Sequence, residues 1–133
     1  MKKYLFAILI LCICLGLRAQ TMQNFIASPS TLPLNTNLHI EYDLFNTSSA
    51  NITGNVDNHV KVNGIDLGVL NTFNLANAIL PNQSAHISFD IIASLANNFS
   101  TSSSNIIVIW PTGTTALPWI SDNTGTAAIT VIP

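Results

Sequence analysis

Beyond residue 19 the chain alternates apolar and polar positions with a period of two. Leu38, Ile40, Tyr42 and Leu44 interleave with His39, Glu41, Asp43 and Phe45. Successive side chains of a strand point to opposite faces, so this stretch predicts a half-buried strand with the first set inward. A second alternation follows the turn Pro81-Asn82-Gln83-Ser84. From Ala85 to Ala93, Ile87, Phe89 and Ile91 face one way, and His86, Ser88 and Asp90 the other. Between them, Val60-Lys61-Val62-Asn63-Gly64-Ile65-Asp66-Leu67 predicts a two-residue hairpin, because Asn-Gly tolerates the positive φ angles of a type I′ turn. That register sets Val62 opposite Ile65, Lys61 opposite Asp66 and Val60 opposite Leu67. Lys61 and Asp66 are then expected to form an exposed ion pair.

A third kind of strand follows. Asn105 to Trp110 is continuously apolar and is expected to stop at Pro111. Ile106, Val108 and Trp110 occupy one phase of it, and Ile107 and Ile109 the other. Phe25 to Ser28 can serve as a first strand and Ala127 to Ile132 as a last. Residues 46–51, 95–104 and 111–126 read as loops. About seven strands with short turns predict an all-β fold, an antiparallel immunoglobulin-like sandwich.

The first nineteen residues follow a different rule. Lys2 and Lys3 precede an apolar run from Tyr4 to Leu17, and Ala19 stands where a signal peptidase would cut. The run is shorter than the roughly 20 apolar residues a membrane span needs. A helical signal peptide over 1–19, removed on export, and a single domain over 20–133 are therefore expected. Cys12 and Cys14 leave with the signal, so the domain is free of disulfides, as many exported bacterial proteins are. The expected destination is the periplasm, cell surface or medium of a Gram-negative bacterium.

Removing the signal also changes the charge. Residues 20–133 keep one cation, Lys61, against six carboxylates at 41, 43, 57, 66, 90 and 122, a balance of −5. Nucleic acid and anionic lipid are recognised through Lys and Arg, so neither is an expected partner. No membrane insertion is expected after the signal is gone.

Several short motifs carry a family resemblance. These are Asn46-Thr47-Ser48, Asn63-Gly64, Leu80-Pro81-Asn82-Gln83-Ser84 and Ile87-Ser88-Phe89; separately, the tail Asn105-Ile106-Ile107-Val108-Ile109-Trp110-Pro111 looks like a strand of secreted proteins of surface-colonising Gram-negative bacteria. The stretch from Leu38 to Phe89 resembles the bacterial cell-adhesion-related (CARDB-type) module, a fibronectin-III-like sandwich. The resemblance implies a non-catalytic module of secreted or surface proteins.

Candidate chemistry is sparse. His39, Glu41 and Asp43 share one face of a strand, but steps of two put their Cα atoms about 6.5–7 Å apart. They read as a solvated outer face, and no metal site is expected. Asp57-Asn58 and Asp122-Asn123-Thr124-Gly125 lack the carboxylate density of a strong calcium loop. No Gly-x-Ser-x-Gly elbow is present. Asp43 and Asp90 could approach across a sheet as a carboxylate pair, but a seven-strand sandwich of this size has little room for the deep cleft such a pair uses. Neither an enzyme nor a cofactor is expected. Asn46, Asn51, Asn82 and Asn98 begin glycosylation sequons that read as solubilising loops.

The interaction candidates are apolar. Either a loop covers Ile107 and Ile109, or they form an exposed patch that marks an interaction site. Trp119 lies between Pro118 and Ile120, where it caps the sandwich end or faces solvent. The candidate binding residues are thus Ile107, Ile109 and Trp119. The expected partner is an extracellular or envelope protein, a second copy included. The alternative is a carbohydrate stacked on Trp119.

Overall fold

In the computed structural model, residues 20–115, 119 and 123–133 are described. The expected signal peptide lies outside them, as do Pro118, Ile120 and Asp122. Eight strands run along the described residues: β1 (Gln20–Ser28), β2 (Thr31–Pro33), β3 (Asn37–Asn46), β4 (Asn55–Val62), β5 (Ile65–Asn74), β6 (Ser84–Ile92), β7 (Ser104–Gly113) and β8 (Gly125–Ile132). They form a three-stranded sheet, β1-β3-β6, and a five-stranded sheet, β2-β8-β7-β4-β5. All pairings are antiparallel except β2 with β8. The architecture is the immunoglobulin-like sandwich that the alternation predicts. No described helix is long and apolar enough to cross a membrane.

The core is built from the inward phase of each strand. Leu38, Ile40, Tyr42 and Leu44 of β3 are fully buried, and Ile87, Phe89 and Ile91 of β6 lie beside them. From the other sheet come Val56, Val60 and Val62 of β4, Ile107 and Ile109 of β7, and Ile129 and Val131 of β8. Each large aliphatic buried in this way stabilises the fold by about 1.5–3 kcal/mol.

The Asn63-Gly64 hairpin forms as expected. Both residues have positive φ, and Val62 pairs with Ile65 and Lys61 with Asp66. Beyond that point the expected register fails. Gly68, at φ +76°, lies where β5 bulges, so His59 pairs with Val69, and a second shift brings Asn58 opposite Asn71. These irregularities bend the edge strand, which blunts it against pairing with another chain. The Lys61–Asp66 ion pair is replaced by other contacts. Asp66 accepts from the Gly68 N–H at 2.8 Å, and Lys61 Nζ lies 5.7 Å from the centre of the Trp110 ring.

Strand β7 also differs from expectation. It continues through Pro111 to Gly113. Pairing with β8 ends at Ile109–Gly125, while β4 pairs on to Val56–Gly113. At Pro111 one side of β7 is therefore open, and the missing N–H removes no ladder bond there. Ile107 and Ile109 are core residues with no exposed surface, which rules them out as a surface patch. They pair with Val62 and Val60 and share their face. The outward phase is Ile106, Val108 and Trp110. Asn105, also buried, anchors the inward phase through hydrogen bonds to Ser100 N, Ser100 O and Ile129 O.

Candidate functional site

The two outer faces of the sandwich have opposite chemistry. On the five-stranded sheet, Ile106 is 45% exposed, and Val108 and Trp110 are half-buried beside it. Across the ladders, Ile106 faces Ala128, Trp110 faces His59, and His59 faces the exposed Val69. The His59 and Trp110 rings stack at 5.3 Å and 12°. His59 Nε2 meets Thr112 Oγ1 at 2.8 Å, which steadies the imidazole under the indole. Apolar side chains thus form a stripe along β7 in a place where one-sided sheets carry polar residues.

On the three-stranded sheet the outer face is ionic. His39 pairs with Asp90 and Asp43 with His86, and Glu41 lies between the two pairs on β3. His39 Nδ1 meets Asp90 Oδ1 at 2.7 Å, and His86 Nδ1 meets Asp43 Oδ1 at 3.0 Å. Both Nε2 atoms face the same oxygen, Glu41 Oε2, at 3.7 Å from His39 and 3.6 Å from His86. A bulge in β1 leaves Asn24 at φ +53°, and its amide donates to Asp43 Oδ2 at 2.7 Å. That bond, with help from His86, holds the Asp43 carboxyl below the usual carboxylate range. Sequence spacing missed this cluster because His86 reaches it from another strand. The detectable signal was the outward phase of β6, His86-Ser88-Asp90.

Trp119 is half-buried and packs against the core. Its Nε1–H donates to Thr115 O at 3.1 Å, and its ring lies so close over Gly113 that a Cβ there would come within 2.1 Å of it. The indole therefore caps the sandwich end, with its polar edge already bonded. A groove of about 450 Å³ opens between the β5–β6 connection and the start of β6, lined by Phe73, Leu75, Ile79, Leu80 and His86 among others.

Two of the sequon asparagines are structural. Asn46 is fully buried and donates to Ala50 O and Ile79 O. Asn98 donates to Val62 O at 2.8 Å. A glycan on the Asn46 nitrogen would remove one of its two donated bonds.

No family model and no curated protein matches the chain in sequence. Its fold recurs among solved structures. The CARDB domain of a Pyrococcus furiosus protein, crystallised in complex with di-metal ions, matches with a TM-score of 0.57 at 12% identity, over 88% of this chain and 96% of that one. A domain assigned to a cell surface protein of Methanosarcina acetivorans matches at 0.50 and 18% identity, over 86% of this chain and 94% of that one. A β-glucosidase of Erythrobacter marinus matches at 0.56 and 13% identity, over 85% of this chain but 15% of the enzyme. The fold defines an immunoglobulin-like β-sandwich module. Within that class, the protein has the architecture of a CARDB domain.

Proposed function

We propose that the protein is a non-catalytic interaction module of the cell surface or extracellular space, and that it docks an envelope or extracellular protein on the outer face of its five-stranded sheet. The observation that carries this reading is the outward run Ile106, Val108 and Trp110 on an interior strand of that sheet. An apolar stripe held in place by a hydrogen-bonded ladder is a preformed docking surface, and aromatic residues at such centres supply much of the binding energy. The fold likeness to a surface-protein domain supports the location.

The test is cross-linking of the purified protein to its native cells and spent medium, run beside an Ile106→Asp/Val108→Asp variant. Both residues point outward, so the variant is expected to fold. One dominant envelope protein, captured by the wild type and lost by the variant, is the expected result. Equal capture by both proteins, or capture of polysaccharide alone, overturns the reading.

A further inference from the structure

Among the described residues four strands edge the two sheets, β1 and β6 on one and β2 and β5 on the other. Three of them are blunted. β1 bulges at Asn24, β2 is three residues long and ends in Pro33, and β5 is bent at Gly68. Short strands, proline and bulges are the devices by which a sheet avoids pairing with another chain. β6 has none of them. Its register with β3 runs unbroken from Ser84 to Ile92, and it holds neither proline nor glycine.

The backbone of β6 points alternately toward β3 and away from it. Ala93 donates to Thr36 O at 3.0 Å and accepts from Asn35 N at 2.8 Å, and Gln83 O accepts from Asn46 N at 2.9 Å. The odd-numbered residues therefore bond β3. The N–H and C=O groups of Ser84, His86, Ser88 and Asp90 face outward, where no described residue bonds them. Ile92 O, at the end of this row, is already taken by Asn97 Nδ2 at 2.8 Å. A regular row of unpaired backbone groups is a template for one more strand.

We propose that two copies of the protein pair antiparallel through β6, about a two-fold axis at Ser88, and so join their three-stranded sheets into one continuous sheet. Ser88 is the midpoint of Ser84–Ile92, so pairing about it uses the whole strand. In that register His86 of each copy stands opposite Asp90 of the other. Moving the axis to His86 sets two histidines face to face, and moving it to Asp90 does the same to two carboxylates. Like charges directly opposite destabilise paired strands. Within one copy His39 already stands opposite Asp90, and Asp43 opposite His86. Across the axis the row becomes His39, Asp90, then His86 and Asp43 of the second copy, with histidine and carboxylate alternating throughout. This complementarity of the strand to its own reverse is what names a second copy as the occupant.

Apolar surface at the two ends of β6 fits the same pairing. The groove of about 450 Å³ lies beside Ser84 and is bordered by Leu80, which is 51% exposed. At the other end a hollow of about 230 Å³ is lined by Leu70, Asp90, Ile91, Ile92 and Asn97, and its Leu70 and Ile92 are exposed. Antiparallel pairing sets Ser84 opposite Ile92 of the second copy, so each groove meets the other copy's apolar end. The interface is isologous, and two copies close it.

The test is sedimentation equilibrium of the purified protein over a range of concentrations, with circular dichroism to confirm the fold of each variant. A monomer–dimer equilibrium is expected for the wild type. It is also expected for Ile106→Asp/Val108→Asp, whose changes lie on the other sheet. Ser88→Pro removes an N–H that points away from β3, which an edge strand tolerates, and is expected to sediment as a monomer. His86→Asp sets carboxylate opposite carboxylate across the axis and is expected to shift the equilibrium toward the monomer. A second measurement reads the register. Mild oxidation should cross-link Ser88→Cys, because paired Cα atoms about 5.5 Å apart suit a disulfide. It should cross-link neither the wild type nor Ser84→Cys. A wild type that is monomeric at every concentration overturns the proposal. So does a dimer that survives Ser88→Pro, or one that Ile106→Asp/Val108→Asp dissolves.

Discussion

Tyr42 and Asn58 meet in the middle of the core, where the phenol hydroxyl of one sheet donates to the amide oxygen of the other at 2.5 Å. Asn58 passes the contact on, donating from Nδ2 to Asn71 Oδ1 at 3.0 Å. Both Tyr42 and Asn58 are fully buried. The bond therefore satisfies two groups that have no access to water, and it ties the sheets together at a defined point.

Replacing Tyr42 with Phe leaves the Asn58 oxygen buried without its donor. An unpaired buried acceptor costs about 1–3 kcal/mol. Chemical denaturation of Tyr42→Phe is expected to show a loss of that size. The double variant Tyr42→Phe/Asn58→Leu, which removes both partners, should lose less than the two single losses combined. Simple additivity would mean that the two groups are not coupled.

Burial also pushes the Tyr42 phenol well above its ordinary value. As pH rises past about 10, tyrosine in the unfolded chain ionises while Tyr42 keeps its proton. The unfolded state then binds fewer protons, so stability is full below that pH and falls above it. An absorbance titration near 295 nm should show no ionisation of Tyr42 until the protein unfolds. Free titration near pH 10 with the fold intact would contradict the burial.

Asp43 has the opposite sign. Its carboxyl is held low, first by the Asn24 amide and then by His86. The stabilisation it brings is present above the ordinary carboxylate pKa of about 3.9 and is lost as pH falls through the lower folded value. Carboxyl NMR should find Asp43 titrating below that value, and Asn24→Ala should move it upward. No movement would remove Asn24 as the cause.

Gly113 and Trp119 form a further dependent pair. A Cβ at Gly113 would lie 2.1 Å from the indole, so Gly113→Ala must displace the ring. Overpacking of this kind costs about 1–3 kcal/mol. The expected signs are a lower melting temperature and a red shift in tryptophan emission as Trp119 moves toward water. An unchanged spectrum would mean that the indole does not rest on Gly113.

Much of the sandwich is legible in the residues themselves. Period-two alternation sets the inward faces of β3 and β6, because a one-residue slip would turn four buried side chains of β3 into water. Asn63-Gly64 specifies its own turn, because the positive φ angles it needs are local to two residues. Strand β7 is different. Ile106 to Trp110 is apolar in both phases, so alternation carries no information about which side faces in. The pairing of Ile107 and Ile109 beside Val62 and Val60, with Asn105 bonded inside, makes that choice. The same pairing turns Ile106, Val108 and Trp110 outward.

The ionic cluster follows the same division. That His39 and Glu41 share a face follows from their spacing along one strand. That His86 joins them depends on a ladder between residues more than forty positions apart. Sequence by itself determined what could be settled within a few residues: strand phase, turn type and the class of fold. The tertiary structure alone decided which doubly apolar face meets water and which distant side chains share a site, because both depend on long-range pairing that no local pattern encodes.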